Sequence, residues 1–226
     1  MIIYGLMKFT EYIPHMYDKV MDIITLGSHS RVHGHISSEV KAGDKVLDIG
    51  CGTGSISIKC AEIGAQVWAV DAAPQMLSIF KRKLNGNPAK KTIRIIEVGA
   101  ASIKSVLKDE KFDVIIMSLM LGELPKAIRQ ETLKIAMDLL KDDGRIIISD
   151  ELWPDNFILS GLYYILYIIF FVPNFLLTRT MIKPVKNLKS DVEKYELKIM
   201  EKKKAFMGII SIWKVVKSSR VLKELG

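Results

Sequence analysis

Cysteine is scarce in this sequence, and a secretory signal is not evident. The two cysteines, Cys51 and Cys60, are too few for a disulfide framework and lack the CxxC spacing of a zinc site. The first eight residues show neither a basic segment ahead of an apolar run nor a small-residue cleavage site. We therefore expect a cytoplasmic protein.

Internal repeats, linkers and low-complexity stretches are also absent from the sequence. Hydrophobic residues make up 49% and charged residues 26% of the 226 residues. This composition is ordinary for a globular protein and excludes disordered, collagen-like and coiled-coil classes. The length suffices for one domain with a sizeable core, which we expect to span residues 1–226.

Positive charge is concentrated near the C-terminus. Residues 1–178 contain 20 basic and 20 acidic side chains, whereas residues 179–226 contain 13 basic and 5 acidic ones, so the tail carries the net charge of +8. The basic residues are not interleaved with stacking aromatics, which argues against nucleic acid as a partner.

Short apolar runs alternate with amphipathic segments from Lys45 onward. The runs read KVLDIG, QVWAVD, TIRIIEV, FDVIIMSL and RIIISD, and continuous Val, Ile and Leu are typical of strands buried on both faces. The later runs YELKIMEKKKA and FMGIISIWKVVK predict an antiparallel hairpin. The sequence therefore predicts an α/β fold with a Rossmann-like, doubly wound seven-stranded sheet and a C-terminal antiparallel hairpin.

The predicted elements divide this domain into four parts. The four parts are an N-terminal helical lid (1–44), a binding core (45–151), an apolar helical insertion after the fifth strand (152–186), and a terminal helix with the strand hairpin (187–226). The lid contains predicted helices over 7–26 and about Arg31–Val40, with Gly27 as a C-cap.

A glycine-rich loop is the strongest local signal. Residues 46–54 read VLDIGCGTG, a buried strand that leads into three alternating glycines and then a helix. Glycines let the chain turn sharply and let a ligand approach the backbone, and the helix N-terminus presents unpaired N–H groups. The GxGxG spacing differs from the GxGxxG of dinucleotide-binding domains, which argues against a pyrophosphate ligand.

Two carboxylates narrow the ligand class. Asp71 ends the second strand about twenty residues after the loop, where a carboxylate accepts hydrogen bonds from both ribose hydroxyls. Asp48 suits a ligand that carries an ammonium group, because it would repel a phosphate. An adenosine-like ribose joined to an amino acid, without phosphate, describes S-adenosylmethionine (SAM).

The motifs VLDIGCGTG, WAVDAAPQML, FDVIIMSLMLGEL and LLKDDGRIIISDELWP resemble those of class I SAM-dependent methyltransferases in order and spacing, over residues 12–217. The resemblance implies an enzyme with SAM as its cofactor. It also implies a set of binding residues. These are Asp48, Gly50, Cys51, Gly52 and Gly54 for the methionine part, Asp71 for the ribose, Ala72 and Met76 for the adenine, Ala100 and Ala101 after the third strand, and Ser118 and Leu119 after the fourth.

One departure from the family concerns the adenine. The family usually has an acidic residue after the third strand, but residues 98–102 here read VGAAS. Adenine would then rest on backbone contacts and packing. The alternative interpretation of the glycine loop is a structural turn in a domain that binds no nucleotide.

The residues that face the methyl acceptor are less well defined. Methyl transfer needs a general base only if the acceptor carries a proton at neutral pH. Asp150 and Glu151 directly follow the strand RIIIS and are candidates, although they are equally consistent with capping the strand in solvent. Tyr17, followed by Asp18, resembles a lid tyrosine of quinone-type C-methyltransferases, but a tyrosine buried on a helix face would look the same. Further candidates are Tyr4, Tyr12, His15, His33 and Glu123.

All four histidines fall between His15 and His35, and His29 and His33 share one predicted helix face. A metal site is one interpretation. The segment is polar and no cysteine lies nearby, so solvated histidines are favoured, and no metal is predicted. A role for the histidines in binding an acceptor stays open.

The uncharged segment 156–178 raises the question of a membrane span. A single crossing would separate the terminal hairpin from the strand RIIISD, so the predicted fold excludes it. The segment then covers an acceptor pocket, lies in a membrane interface, or forms a buried helix pair or homodimer contact. The lysines and arginine that follow, up to residue 189, suit anionic headgroups or an acidic partner protein.

We expect the acceptor to be bulky and apolar or bound to a protein. A weaker similarity to archaeal methyltransferases associated with corrinoid proteins, carried by LLTRTMIKPVKNLK among other segments, implies a corrinoid protein as partner. The alternatives are a methyltransferase at the membrane surface that acts on a lipid or quinone, and a SAM-binding regulator without turnover.

Overall fold

The structure is a computed structural model, and it describes residues 17–24, 27–152, 161, 164, 185, 187–205 and 210–225. Its strands form a seven-stranded sheet. They are β1 (Lys45–Ile49), β2 (Gln66–Asp71), β3 (Ile93–Glu97), β4 (Phe112–Ser118), β5 (Leu140–Glu151), β6 (Leu197–Ala205) and β7 (Ile210–Lys217). The predicted α/β fold with a seven-stranded sheet is confirmed.

Helices connect the strands and close the chain. They are α1 (Tyr17–Ile24), α2 (Ser28–Ser38), α3 (Ser55–Glu62), α4 (Pro74–Lys83), α5 (Ile103–Leu107), α6 (Lys126–Leu139), α7 (Leu188–Glu193) and α8 (Ser218–Leu225). Short 3₁₀ turns occupy Pro88–Thr92, Ala100–Ser102 and Leu121–Glu123. Helix α4 shows the expected end signals, with proline in its first turn and Lys81, Arg82 and Lys83 in its last.

The strand order is β3-β2-β1-β4-β5-β7-β6. The first five strands pair in parallel, while β7 pairs antiparallel with both β5 and β6. The predicted terminal hairpin is therefore present, with β7 inserted next to β5 and β6 at the sheet edge. The order reverses between β1 and β4, and ligands of such sheets bind at the carboxyl ends of the strands beside this point.

Hydrophobic cores lie on both faces of the sheet. Val46 and Leu47 are neighbours in β1, yet Val46 packs with Ile36 of α2 and Phe80 of α4, whereas Leu47 packs on the other face with Leu133 of α6. Alternate side chains of a strand point to opposite faces, so a strand covered on both sides must be apolar throughout. Burying each such side chain contributes roughly 1.5–3 kcal/mol.

Several predicted boundaries shift. The second helix spans Ser28–Ser38 and not about Arg31–Val40, because Gly27, at φ 72°, turns the chain directly into it. The Gly27 N–H donates to the Asp22 carbonyl (2.7 Å), and the Asp22 carboxylate accepts from the Ser30 N–H (2.8 Å) in place of a cap within the helix. Of the first predicted helix, over 7–26, only Tyr17–Ile24 is described. Helix α8 was not predicted.

The ends of the apolar insertion meet beside β5. Leu152 forms a parallel bridge with Val185, and the Val185 N–H donates to the Glu151 carbonyl (3.1 Å). The insertion predicted over 152–186 lies almost wholly outside the described residues. In the part of the chain that the structure describes, no helix combines the length and apolar character needed to cross a bilayer.

Candidate active site

A cavity of about 440 Å³ opens at the carboxyl ends of β1, β2 and β4. It lies where the strand order reverses, and its volume is within the range of small-molecule sites. Its walls come from the loop after β1, the end of β2 with the start of α4, the segments after β3 and β4, and the lid helices α1 and α2.

The three glycines of the loop serve different purposes. A Cβ at Gly54 would lie 2.1 Å from the Phe80 ring, and one at Gly50 would lie 2.8 Å from Met120 Cβ, so both glycines permit close packing. Gly52 lines the cavity, and a Cβ there would meet no atom within 4 Å. The space that a side chain would fill at Gly52 is therefore open to a ligand. All three have positive φ, which glycine adopts without strain.

Asp71 is held in place by the backbone around it. Its Oδ2 accepts from the Gly52 N–H and its Oδ1 from the Ala73 N–H, both at 2.8 Å. A carboxylate has about four lone-pair sites, so two bonds leave capacity for further donors. Asp71 is thus oriented in advance for hydroxyl groups in the cavity.

Asp48 is a buried carboxyl group on which no cationic side chain of the described residues acts. It is 1% exposed, and its Oδ2 accepts from Ser57 Oγ (2.6 Å). Burial raises the pKa of Asp48 to about 7; the Ser57 hydrogen bond acts against this rise, and the negative charge of Asp71 adds to it. A cationic group in the cavity would favour the ionised form of Asp48, so the position suits a ligand ammonium.

An apolar slot continues beyond Asp71. Its walls include Ala72, Met76, Val98 and Ala100, all of which line the cavity. Ala101 is half-buried but does not line it. The Val98 N–H donates to the Asp71 carbonyl (3.0 Å), which joins the segment after β3 to the end of β2. Such a slot offers packing and not charge to a flat ring.

The end of β4 is conformationally strained. Leu119 has φ 51°, a left-handed conformation that costs a branched residue roughly 1–3 kcal/mol. Its N–H donates to the Ser149 carbonyl (2.7 Å), which ties it to β5. Ser118 also lines the cavity, and its buried Oγ has no hydrogen-bond partner among the described residues. Leu119 lines the cavity as well, so both residues border it at the end of β4.

A polar cluster joins the lid helix α1 to the glycine loop. Asp18 Oδ1 accepts from Thr53 Oγ1 and from Ser55 Oγ, both at 2.9 Å, while Lys83 of α4 forms an ion pair with Oδ2. Burial alone would raise the pKa of Asp18, but the hydrogen bond and charge of Lys83, with the two hydroxyls, outweigh it and hold the pKa below its usual value. Asp18 therefore stays ionised and anchors α1 over the cavity. The Tyr17 side chain lies outside the described part of the chain.

Two histidines line the cavity from α2. His29 and His33 are 4% and 8% exposed, and their ring centroids are 4.0 Å apart. The prediction that these histidines are solvated is wrong, because their side of α2 packs toward α3 and the cavity. Burial lowers the pKa of both, so neutral imidazoles are favoured at pH 7.

Comparisons with known proteins agree on one family. Residues 46–144 match the family model described as a methyltransferase domain. A demethylmenaquinone methyltransferase of Lactobacillus johnsonii is 31% identical over 153 residues, which cover 66% of this chain and 61% of that protein. A probable cobalt-precorrin-6B C(15)-methyltransferase of Methanothermobacter thermautotrophicus is 29% identical over 120 residues, covering 53% and 59%. The chain thus spans about three fifths of these curated relatives.

The solved structures share the fold. One is magnesium protoporphyrin IX methyltransferase from Synechocystis with bound S-adenosylhomocysteine (SAH). It gives a TM-score of 0.67 at 19% sequence identity, and the match covers 93% of this chain and 94% of that chain. The domain match and the shared fold support a class I SAM-dependent methyltransferase, which is the family that the motifs resemble. SAM, the cofactor predicted from the motifs, is the cofactor of that family.

As in a class I methyltransferase, most of the predicted cofactor residues lie together around one cavity. Gly54 and Ala101 are the exceptions, because neither lines it. Sequence reasoning left Asp18 and Gln75 out of the predicted site and assigned His29 no definite role, although all three line the cavity. The pairing of Asp18 with Lys83, 65 residues later, leaves no local signal in the sequence.

Asp150 and Glu151 lie behind the cavity wall. They are the last residues of β5, both are fully buried, and neither lines the cavity. The interpretation that they cap the strand in solvent is wrong, because β7 covers this end of β5. Asp150 Oδ2 accepts from the Leu121 N–H (3.0 Å) and Oδ1 from the Glu151 N–H (2.7 Å). Asp150 thereby fixes the turn after β4 that lines the cavity.

Metal ligation and thiol chemistry have little support here. Within the described ranges, no group of three or more His, Cys, Asp or Glu side chains is arranged to hold a metal ion. Cys51 lines the cavity, but burial and the nearby carboxylates Asp48 and Asp71 raise the pKa of its thiol well above the usual value. A neutral thiol is a poor nucleophile.

Proposed function

We propose that this chain binds SAM in the cavity and transfers its methyl group to a bulky, apolar ring compound. The observation that carries the proposal is the pair of carboxylates beside Gly52. Asp48 is buried, with no cation acting on it among the residues that the structure describes. Asp71 is oriented by two backbone N–H groups, and Gly52 leaves open space in the cavity beside them.

Each part of the cofactor has a matching wall. The SAM ammonium would pair with Asp48, the ribose hydroxyls with Asp71, and the adenine with the slot of Met76, Val98 and Ala100. The sulfonium supplies an already activated methyl group, so the chain has to align the acceptor and exclude water.

The acceptor class draws on the relatives and on topology. The relatives and structural neighbour are named for demethylmenaquinone, cobalt-precorrin-6B and magnesium protoporphyrin IX, which are all large ring compounds. In this chain, Leu152 and Val185, which precede and follow the apolar sequence 156–178, form a bridge at the ligand edge of the sheet. A free apolar acceptor would fit beside this edge. An acceptor carried by a corrinoid protein would fit there as well.

A lysine run favours a second candidate function, methylation of a lipid or quinone at an anionic membrane surface. Lys202, Lys203 and Lys204 are exposed on β6. The register aligns Lys203 with Ile212, Ile212 with Ser149, and Ser149 with Ser118 of the cavity wall. The run therefore lies at the ligand edge of the sheet, where it would attract anionic headgroups.

Product formation tests the proposal. The protein is incubated with SAM and either a short-chain demethylmenaquinol or cobalt-precorrin-6B, and SAH is measured. SAH formation with either compound supports the proposal. SAM binding without SAH formation from either favours the SAM-binding regulator. For the second candidate, salt-sensitive binding to phosphatidylglycerol vesicles that is lost in a K202E/K203E/K204E variant is expected, and unchanged binding contradicts it.

A further inference from the structure

The histidine pair of α2 is a feature that cofactor binding does not explain. His29 and His33, one helical turn apart, are the residues that α2 contributes to the cavity among those described. Their rings are tilted at 57° to each other. Burying two imidazoles against one another costs hydration.

The charged groups around the two rings differ. The carboxylates of Asp18 and Asp22, on α1, favour a positive charge on His29, and Lys83 of α4 opposes it. Around His33, the groups that act among the described residues are all positive: His29 itself, Lys59 of α3 and Lys83. A proton that reaches the pair is therefore held by His29, with Asp18 and Asp22 as its counter-charges.

The other ionisable groups of the cavity are less suited to accept a proton. Asp48 and Asp71 are assigned to the cofactor, and Asp18 is paired with Lys83. The Cys51 thiol stays protonated. Glu123 is exposed to solvent, where water competes for it. His29 is thus the buried neutral base of the cavity, and a neutral imidazole has one acceptor nitrogen.

We propose that His29 is the general base of the methyl transfer, that His33 positions its ring, and that the acceptor is a ring compound with a weakly acidic hydroxyl, such as a hydroquinone. This inference rests on the proposed function and names its base and the acidic group of its acceptor. An acceptor without an acidic proton would have no use for a buried base.

The proposed step conserves atoms and charge. The hydroxyl proton moves to the His29 imidazole, and the O–H electron pair stays on the acceptor as an oxyanion conjugated with the ring. The oxyanion, or the ring carbon conjugated with it, forms a bond to the methyl carbon. The C–S bond breaks and its electron pair stays on sulfur, which yields SAH. After attack through carbon, the ring proton leaves to water and His29 returns its proton to the oxygen.

The test compares His29→Gln and His33→Gln with His35→Gln. His35 lies on the same helix but does not line the cavity, so it is the matched control. The probe is 1,4-naphthohydroquinone, kept reduced under nitrogen, with saturating SAM so that cofactor binding does not limit the rate. Turnover is measured from pH 5 to 9, and the Kd of SAM is measured by calorimetry.

We expect His29→Gln to lower kcat by roughly 10²–10⁴-fold with the Kd of SAM within twofold of wild type. Wild-type kcat should fall only below about pH 6.5, because the base must be neutral and its pKa is lowered. This acidic limb should be absent from His29→Gln and present in His33→Gln, which should lose about tenfold in kcat. His35→Gln should match wild type.

Contrary outcomes separate the two levels of the proposal. Failure of the wild type to bind SAM overturns the proposed function itself. A Kd for SAM that rises as much as kcat falls in His29→Gln assigns the pair to the cofactor and overturns the base. Wild type that binds SAM but does not methylate the probe overturns the acceptor class. Proton NMR adds a readout without turnover. In the SAH complex, the probe should shift the ring resonance of His29 and leave that of His35 unchanged. An unchanged His29 resonance overturns the proposal.

Discussion

Asp48 should make the ligand-free protein less stable as the pH rises. Its folded pKa of about 7 lies above the value of 3.8 for the unfolded chain, so the unfolded state ionises first. The free energy of unfolding therefore falls as the pH rises from about 4 to about 7, and levels off above. Asp48→Asn removes this term, because an amide does not ionise, and Ser57 Oγ can still donate to it.

The magnitude follows from the two pKa values. One pKa unit corresponds to 1.36 kcal/mol, and between pH 5 and pH 8 the shift of Asp48 makes the wild type roughly 2.5 kcal/mol less stable relative to Asp48→Asn. Urea unfolding followed by tryptophan fluorescence at the two pH values gives this difference, and the remaining titrating groups cancel in the comparison. Saturating SAM should abolish it, because the ammonium stabilises the Asp48 carboxylate.

Asp113→Asn is the control for this experiment. The Asp113 carboxylate is bonded to Lys141 Nζ (2.7 Å) and to the Lys45 N–H (2.8 Å). Burial acts to raise the pKa of Asp113, but these bonds outweigh it and lower the pKa, so the group is already ionised at pH 5. Asp113→Asn should lower stability equally at both pH values. If Asp48→Asn also runs parallel to wild type, Asp48 is not the uncompensated buried acid described here.

Four further substitutions test the site. Gly52→Ala should weaken SAM binding at least tenfold with a modest loss of stability, whereas Gly54→Ala should mainly lower stability, because its Cβ would collide with Phe80. Calorimetry measures the SAM affinity of each variant and thermal melting measures its stability. Equal losses of affinity and of stability in the two variants would contradict the division of roles. Asp71→Ala should abolish SAM binding in the same calorimeter, and retained affinity would remove the ribose from this position. Asp150→Ala should lower the free energy of unfolding by about 1–3 kcal/mol, because the Leu121 and Glu151 N–H groups lose their acceptor. It should also lower kcat with the Kd of SAM unchanged. An unaltered kcat in the folded variant would contradict the control of the turn after β4 by Asp150.

The parallel strands and the glycine loop were predictable from the sequence because their signals are local. Strands covered on both faces must be continuously apolar, and the loop requires glycine at Gly50, Gly52 and Gly54, where φ is positive. The carboxylates Asp48 and Asp71 follow from the same motifs. These features need no knowledge of distant contacts.

The environment of the polar residues was less predictable. Helix α2 reads SHSRVHGHISS, whose polar composition conceals the burial of His29 and His33. Asp150 and Glu151 are buried because β7, about sixty residues later, pairs beside them, with Asp150 opposite Ser211 and Glu151 opposite Ile210. Long-range pairing of this kind decides whether a charged side chain is solvated, and no local pattern reports it.

Calorimetric titration with SAM and SAH, with NADH as the control, tests the central claim most directly. We expect micromolar binding of SAM and SAH, no binding of NADH, and a SAM affinity that weakens below pH 7 as Asp48 takes up a proton. Absence of SAM and SAH binding at neutral pH would contradict the account and leave the glycine loop as a structural turn.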